Sequence, residues 1–308
     1  MLLIKNIVKE YANHKALDNV SFTVEKGSIF GLLGPNGAGK TSLIRIINQI
    51  TAPDGGEIIF NGQTLNPDHI SKIGYLPEER GLYKKMRIGE QMLYLAQLKG
   101  LSKPEAIKRI KHWFEKMDMQ AWWEKKVEDL SKGMQQKVQF VATVVHQPEL
   151  LILDEPFTGF DPINTELIKK EILNLNKSGT TIIFSTHRME SVEELCDHIV
   201  LLNKAKKIID GKVAEIKNTY RNNTFTISYI GSQNREILPS ENLYTLIKRR
   251  HLDGQTIDTL QVLEPYSIND VLSYLIPQVQ ITALREVIPS INDIFIQQVN
   301  NMNTLRHE

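Results

Sequence analysis

The segment GPNGAGKT, from Gly34 to Thr41, restricts the possible folds of this chain more than any other segment. It matches the pattern Gly, four residues, Gly-Lys-Ser/Thr, in which backbone N–H groups surround phosphate oxygens. Gly34, Gly37 and Gly39 allow the backbone to turn inward where a Cβ would clash. The apolar run SIFGLLG precedes the segment and the helical pattern SLIRIINQI follows it. The sequence therefore predicts a strand, a phosphate-binding loop and a helix, in that order.

Other short apolar runs predict more buried strands. LLILD ends at Asp154 and TIIFST ends at Thr186, and each is bounded by glycine or charge, as parallel strands in a covered sheet are. Between the strands, MRIGEQMLYLAQLKGL and PEAIKRIKHWFEKM carry apolar residues at helical spacing. Trp122 and Trp123 follow, either as a partner site or packed within this helical region, and we expect packing. These patterns predict an α/β nucleotide-binding domain at residues 1–216, with a helical subdomain at about 79–145.

The composition changes near residue 220. The segment from Tyr220 to Glu308 contains one lysine, Lys248, whereas the preceding part is rich in lysine. Two similar stretches, SINDVLSYLI from Ser267 and SINDIFIQQV from Ser290, each follow an apolar run that resembles a strand. A serine three residues before an aspartate is close to a capping-box helix start. Residues 220–308 are therefore expected to form a small α+β accessory domain of two strand-helix units, in which no chemical motif is readable.

Charge and composition favour some classes of protein over others. The chain has 37 Lys and Arg against 36 Asp and Glu, so it lacks the basic excess of nucleic-acid-binding proteins. Its one cysteine, Cys196, excludes an internal disulfide framework and a cysteine-based zinc site. No apolar run approaches the roughly 20 residues that span a bilayer, and the N-terminus lacks the features of a signal peptide. We expect a cytoplasmic chain, with any membrane role supplied by a separate partner.

The predicted phosphate loop and strand ends carry the candidate chemistry. Lys40 is expected to contact the β- and γ-phosphates, and Thr41 to give its hydroxyl to Mg²⁺. Asp154, at the end of a buried strand, would hold the Mg²⁺ directly or through water. Glu155 follows, and strand alternation points it differently, so it is either a general base for the attacking water or a cap of the strand end.

Two more segments refine the nucleotide site. NKAK, Asn203 to Lys206, has lysine where the guanine-reading Asn-Lys-x-Asp pattern has aspartate, so ATP is expected rather than GTP. LSKGMQQKV places Ser131 and Gly133 before an apolar helical pattern. This is a helix start with exposed backbone N–H groups, which attracts an anion and suggests a second phosphate contact.

The ordered set of motifs over Met1 to Ala214 resembles the nucleotide-binding subunit of ATP-binding-cassette (ABC) transporters. LSKGMQQ resembles the signature motif of that family, and FTGFDP resembles its D-loop. His187 in FSTH resembles the switch histidine, and Glu78 in GYLPEE falls at the Q-loop position. Tyr11 in KEYANHKAL lies where an aromatic residue stacks on adenine.

The resemblance implies ATP and Mg²⁺ as ligands, and a head-to-tail dimer of two copies. Ser131 and Gly133 would contact the γ-phosphate of ATP bound to the other copy. The implied nucleotide-binding residues come from the adenine platform, the phosphate loop and the signature: Tyr11, Gly34, Pro35, Asn36, Gly37, Ala38, Gly39, Lys40, Thr41, Ser42, Ser131 and Gly133. The implied metal-binding residues are Thr41, Asp154 and Glu78, and the implied catalytic residues are Glu155, His187 and Lys40.

The chain departs from the family pattern at two motifs. Glu78 replaces the Q-loop glutamine, and Lys132 and Met134 replace signature residues, so Lys132 either adds a cation near ATP or faces solvent. The motifs with the accessory domain resemble bacterial ABC-2-type exporter ATPases for sodium or drugs. The expected function is ATP hydrolysis for a separate transmembrane permease, at the cytoplasmic face of the membrane. The alternatives are a soluble ABC ATPase acting on ribosomes or nucleic acid, and a regulatory module that has lost hydrolysis.

Overall fold

The computed structural model describes residues 1–79, 81–186, 189–231 and 242–304. The chain divides into two compact units, Met1–Val213 and Ala214–Glu308. The strands of the first unit are β1 (Leu2–Tyr11), β2 (His14–Val24), β3 (Ile29–Leu33), β4 (Gly55–Phe60), β5 (Gln63–Thr64), β6 (Ile73–Leu76), β7 (Leu150–Asp154), β8 (Thr181–Ser185), β9 (His198–Asn203) and β10 (Lys206–Lys212). The helices of the first unit are α1 (Lys40–Ile47), α2 (Ile88–Leu98), α3 (Lys103–Lys116), α4 (Lys132–Val144), α5 (Pro162–Lys177) and α6 (Met189–Leu195). A further helix, α7 (Val213–Thr219), starts at the last residue of the first unit and continues into the second.

A six-stranded sheet in the order β10-β9-β3-β8-β7-β6 forms the centre of the first unit. All neighbours from β9 to β6 are parallel, and β10 closes the sheet as an antiparallel hairpin with β9. Every residue of β3, β7 and β8 is buried, because these runs are apolar on both faces. The carboxyl ends of parallel strands meet at one edge, so the residues that follow β3, β6, β7 and β8 lie at the same edge.

A second, antiparallel sheet in the order β2-β1-β4-β5 packs its apolar side into the same core. Phe22 of β2 stacks on Phe30 of β3 with 5.1 Å between ring centroids. The β1/β2 hairpin is tight, and Tyr11 pairs directly with His14 at its end. This hairpin therefore places two ring side chains beside each other near the phosphate loop.

The helical region between β6 and β7 has a packed interior. On α3 the buried residues are Ala106, Ile110, Trp113 and Phe114, the helical stripe that the sequence predicts. Trp113 packs edge-on against Phe140 of α4. Trp123 packs against Phe114 at 5.6 Å, and a Cβ on Gly89 would lie 2.4 Å from its ring. Trp123 is thus part of the packing of this region, as expected, and Trp122 is half-buried.

The second unit contains β11 (Thr224–Gly231), β12 (Tyr244–Leu252), β13 (Gln255–Val262), α8 (Ile268–Leu275), β14 (Val279–Glu286) and α9 (Ile291–Thr304). Its antiparallel sheet has the order β12-β13-β11-β14, and α8 contributes Val271 and Leu275 to the core. Both repeated Ser-Ile-Asn-Asp stretches begin helices, with serine Oγ donating to the aspartate at 2.7 and 2.6 Å. The α/β and α+β predictions are confirmed. Within the described ranges, none of the helices is long and apolar enough to cross a membrane.

Candidate functional site

A cavity of about 550 Å³ opens at the carboxyl edge of the central sheet. Its lining comes from the β1/β2 hairpin, the phosphate loop with the start of α1, and the residues that follow β6 and β7. The lining residues are Tyr11, His14, Ala16, Asn36, Gly37, Ala38, Gly39, Lys40, Thr41, Ser42, Glu78, Asp154 and Glu155.

Most residues that the sequence singles out meet at this cavity, and a few do not. Gly34 and Pro35 belong to the loop but do not line the cavity, and neither do Ser131 and Gly133. His187 lies outside the described residues. His14 and Ala16 line the cavity without having been predicted. The short gap between the strand-like stretches around Tyr11 and Ala16 was the available signal, because a tight hairpin brings both strands to one place.

Two glycines of the loop are required by close contact as well as by backbone conformation. Gly34 has φ +148° and Gly39 has φ +111°, in the region that side chains disfavour. A Cβ on Gly34 would lie 2.3 Å from the Leu202 carbonyl oxygen, and one on Gly39 would lie 2.3 Å from the Ala16 carbonyl oxygen. Gly37 also has positive φ, but a Cβ there would meet nothing within 4 Å. The two ends of the loop therefore pack closely against the backbones of β9 and β2, whereas the middle of the loop at Gly37 has free space around it.

Lys40 is held inside the loop that it belongs to. Its Nζ donates hydrogen bonds to the carbonyl oxygens of Gly34 and Pro35, at 2.7 and 3.1 Å. Burial lowers the pKa of Lys40, and the nearby charges of Asp154, Glu155 and Glu78 oppose that shift. The ammonium group thus lies where the loop backbone curves, which is where phosphate oxygens would enter.

The carboxylates that line the cavity form a candidate cation-binding site. Asp154 is 4% exposed, and burial raises the pKa of its carboxyl group. Glu155 and Glu78 raise this pKa further, while Ser185 and Lys40 oppose the rise. The described residues include no group of three His, Cys, Asp or Glu that could hold a metal alone. Mg²⁺ fits such a site, since it is usually bound by one or two carboxylates, hydroxyl and water oxygens, and the phosphates of the substrate.

Glu155 leaves the strand instead of continuing it. Its φ of +50° follows the last residue of β7, so the left-handed backbone, and not the expected strand alternation, sets its direction. Its N–H donates to the Ser185 carbonyl oxygen at 2.8 Å, and its Oε2 accepts from the Thr186 hydroxyl at 3.0 Å. The end of β8 therefore fixes both the backbone and the carboxylate of Glu155.

Ser131 is the N-cap of α4, as the sequence predicts. Its Oγ accepts a hydrogen bond from the Met134 N–H at 3.3 Å. Ser131 and Lys132 are exposed and Gly133 is half-exposed. The N-terminus of α4 is therefore exposed and does not line the cavity described above.

Comparison with known proteins agrees with this architecture. Residues 17–158 match the family described as ABC transporter, and residues 211–299 match the C-terminal domain of DrrA1-3-like ATP-binding proteins. The ABC transporter ATP-binding protein YhaQ of Bacillus subtilis is 42% identical over 97% of this chain and 98% of its own length. The linearmycin resistance ATP-binding protein LnrL of Bacillus subtilis is 35% identical over 70% of each chain. The Nod factor export ATP-binding protein I of Cupriavidus metallidurans is 33% identical over 70% of this chain and 72% of its own.

Solved structures show the same fold. The structure of an ATP-binding subunit of an ABC transporter superposes with a TM-score of 0.67 and 29% identity, over 71% of this chain and 93% of that chain. The loop, the strand-end carboxylates and the signature helix are all present in the matched part of this chain. The chain belongs to the ABC transporter family, and it is an ATP-binding, ATP-hydrolysing protein of that family.

Proposed function

We propose that this chain is the ATPase subunit of a membrane exporter, in which two copies close head to tail on ATP and drive a separate permease chain. The observation that supports this most strongly is the division of the phosphate-binding groups. The cavity contains the loop, Lys40 and the carboxylates, whereas Ser131 and Gly133 lie on the same chain but outside it. A twofold arrangement brings the signature helix of each copy to the cavity of the other and completes two sites at once.

In this proposal the ligand is ATP held by side chains at both ends of the cavity. The exposed ring of Tyr11 stacks on adenine, and the loop N–H groups with Lys40 bind the phosphates. Thr41, Asp154 and Glu78 would hold Mg²⁺, which would supply neutralisation of phosphate charge.

Glu155 is the proposed general base. The Thr186 hydroxyl donates to one carboxylate oxygen, Oε2, and so helps to orient the carboxylate of Glu155 at the cavity wall. Glu155 can then orient a water molecule for in-line attack and take its proton. His187 is proposed, by resemblance to the family, to hydrogen-bond the same γ-phosphate. The hydroxyl of Ser131 and the N–H of Gly133 from the other copy donate further hydrogen bonds to the γ-phosphate oxygens, where negative charge develops during attack.

The permease would dock beside the Q-loop. A groove of about 370 Å³ lies between β6, α2 and α4, with apolar residues that include Ile70, Leu82 and Leu98 along its wall. Tyr83 and Tyr94 are exposed next to it, and their rings pack edge to face. An amphipathic segment of the permease, lying at the cytoplasmic face of the membrane, would fit this groove, and Glu78 would couple its movement to the site.

The outward direction of transport rests on the names of the relatives. One is described as acting in export and another in resistance, and both align over 70% of this chain. The near-neutral charge of the chain gives no support to the alternative of an ATPase acting on ribosomes or nucleic acid.

Replacement of the proposed base tests the function. Glu155→Gln keeps the size and hydrogen-bonding capacity of the side chain but removes its basicity. We expect turnover of ATP to fall by a factor on the order of 10² or more, with the affinity for ATP retained. Steady-state phosphate release and nucleotide titration measure the two quantities.

Glu25→Gln, at an exposed glutamate outside the cavity, is the matched control and should behave as the unchanged protein. Turnover by Glu155→Gln within a few-fold of the unchanged protein would show that Glu155 only supports the strand end. Loss of ATP binding together with turnover would show that it acts in folding of the site.

A further inference from the structure

Lys9 is a buried lysine that the phosphate chemistry does not use. It lies in β1, is 9% exposed, and follows Ile7 on the inner side of the strand, two residues before Tyr11. Burial of an ammonium group is costly unless the group is paired and hydrogen-bonded. An apolar side chain would fill this position at lower cost, so the contacts of the ammonium group indicate what it is for.

The segment that follows α1 fixes the Lys9 ammonium group. Its Nζ donates to the Ala52 carbonyl oxygen at 2.8 Å and to Asp54 Oδ1 at 2.9 Å. The other carboxylate oxygen of Asp54 accepts from the Glu10 N–H at 2.7 Å. These contacts, the Glu10 hydrogen bond first, hold the pKa of Asp54 below its usual value. The Asp54 N–H also donates to the Val8 carbonyl oxygen at 2.9 Å, so Asp54 is tied to the strand that carries Tyr11 on both sides of Lys9.

The same ammonium group lies over the ring of Tyr11. The distance from Nζ to the ring centroid is 5.4 Å, within the range of a cation–π contact. Tyr11 lines the cavity and Lys9 does not, so Lys9 contacts the ring from the side away from the cavity. The ring is 40% exposed, and an exposed ring at a hairpin end is otherwise free to change rotamer.

We propose that Lys9 is a positioning residue for the nucleotide base: it holds the Tyr11 ring from behind, so that the opposite face is presented to the base. This inference rests on the proposed stacking role of Tyr11. When the ring is already fixed, ligand binding does not have to reduce the conformational entropy of the Tyr11 side chain. Lys9 should therefore raise the affinity for the base and leave the affinity for the phosphates unchanged.

The test compares two ligands, ATP and inorganic tripolyphosphate, which lacks a base. Lys9→Met is expected to weaken ATP binding about fivefold, the size of a partly buried cation–π contact, and to leave tripolyphosphate binding unchanged. Lys9→Arg should retain most of the ATP affinity. In a Tyr11→Ala background, Lys9→Met should cause no further loss. Lys5→Met, at an exposed lysine of the same strand that pairs with Glu57, is the matched control.

Equal weakening of both ligands, unchanged ATP affinity, or an undiminished loss in the Tyr11→Ala background would overturn the inference. If Lys9→Met does not fold, Asp54→Asn loosens the ammonium group while leaving it in place, and the same outcomes apply. Unchanged ATP affinity in Tyr11→Ala alone would instead contradict the proposed base site. Failure of the inference and failure of the proposed function are thus separate results.

Discussion

At the scale of single residues, the backbone contacts of the loop decide which changes it tolerates. Gly39→Ala places a Cβ against the backbone of Ala16, and backbone cannot move aside as a flexible side chain would. Strain of this kind costs roughly 1–3 kcal/mol. We expect Gly39→Ala to lower the free energy of unfolding by that amount and to weaken ATP binding more than tenfold. Gly37→Ala strains only its own φ and should have a smaller effect on both, since its surroundings are open. Chemical denaturation and nucleotide titration measure the difference, and equal effects would contradict the contact argument.

His146 makes the stability of the cassette depend on pH. Burial, with a smaller contribution from the Lys99 charge, lowers the pKa of His146 to about 4. The unfolded chain takes up this proton near pH 6.5, before the folded chain does. The contribution of neutral His146 to the free energy of unfolding is therefore fully present above about pH 6.5 and declines as the pH falls toward 4.

His146→Gln should flatten that decline, which amounts to at most about 3 kcal/mol across the window for a shift of this size. Unfolding by urea at several pH values between 4 and 7 measures it. His112→Gln, at an exposed histidine on α3, is the control and should leave the slope unchanged. The same slope in His146→Gln as in the unchanged protein would show that other groups cause the acid sensitivity.

At the scale of elements, Ser131 has one role in α4 that the structure shows, the N-cap, and one that we propose, a contact with ATP on a second copy. As N-cap, the serine accepts a hydrogen bond from the Met134 N–H. Ser131→Ala should lower the free energy of unfolding by about 1 kcal/mol, and Ser131→Asp should not, because aspartate is an equally good cap. In the proposed dimer, the aspartate would, however, repel the γ-phosphate of ATP on the other copy. Denaturation of the two variants side by side tests the cap, and loss of stability in Ser131→Asp would contradict it.

Local patterns in the sequence were enough to predict the elements that build the site. The phosphate loop and α1, the buried strand before Asp154, and the stripe of α3 each follow from a contiguous pattern of residue types. Other features depend on residues far apart in the chain. The pairing of Lys9 with Asp54 and the contact of Thr186 with Glu155 join segments that only the fold brings together. The positive φ of Glu155 could not be predicted either, because glutamate, unlike glycine, is not a sequence signal for left-handed backbone.

At the scale of the whole molecule, the first unit brings only part of the proposed phosphate-binding groups together in one cavity. Its cavity contains a loop, one ammonium group and carboxylates, and its signature helix has no place in that cavity. The second unit has its own core of β11, β13 and α8, and a polar pair, Arg249 and Asp258, joined by two hydrogen bonds of 2.8 Å. Under the proposed function, completion of the site depends on a second copy.

The most direct test of the proposed dimer is the oligomeric mass of Glu155→Gln with ATP and Mg²⁺, because this variant is expected to bind ATP without hydrolysing it. Light scattering should give twice the mass of one chain with ATP, and the mass of one chain with ADP. The double variant Glu155→Gln with Ser131→Asp should bind ATP and stay at the mass of one chain. A single-chain mass for Glu155→Gln at saturating ATP, or a dimer that forms regardless of Ser131→Asp, would contradict ATP-driven pairing through the N-terminus of α4.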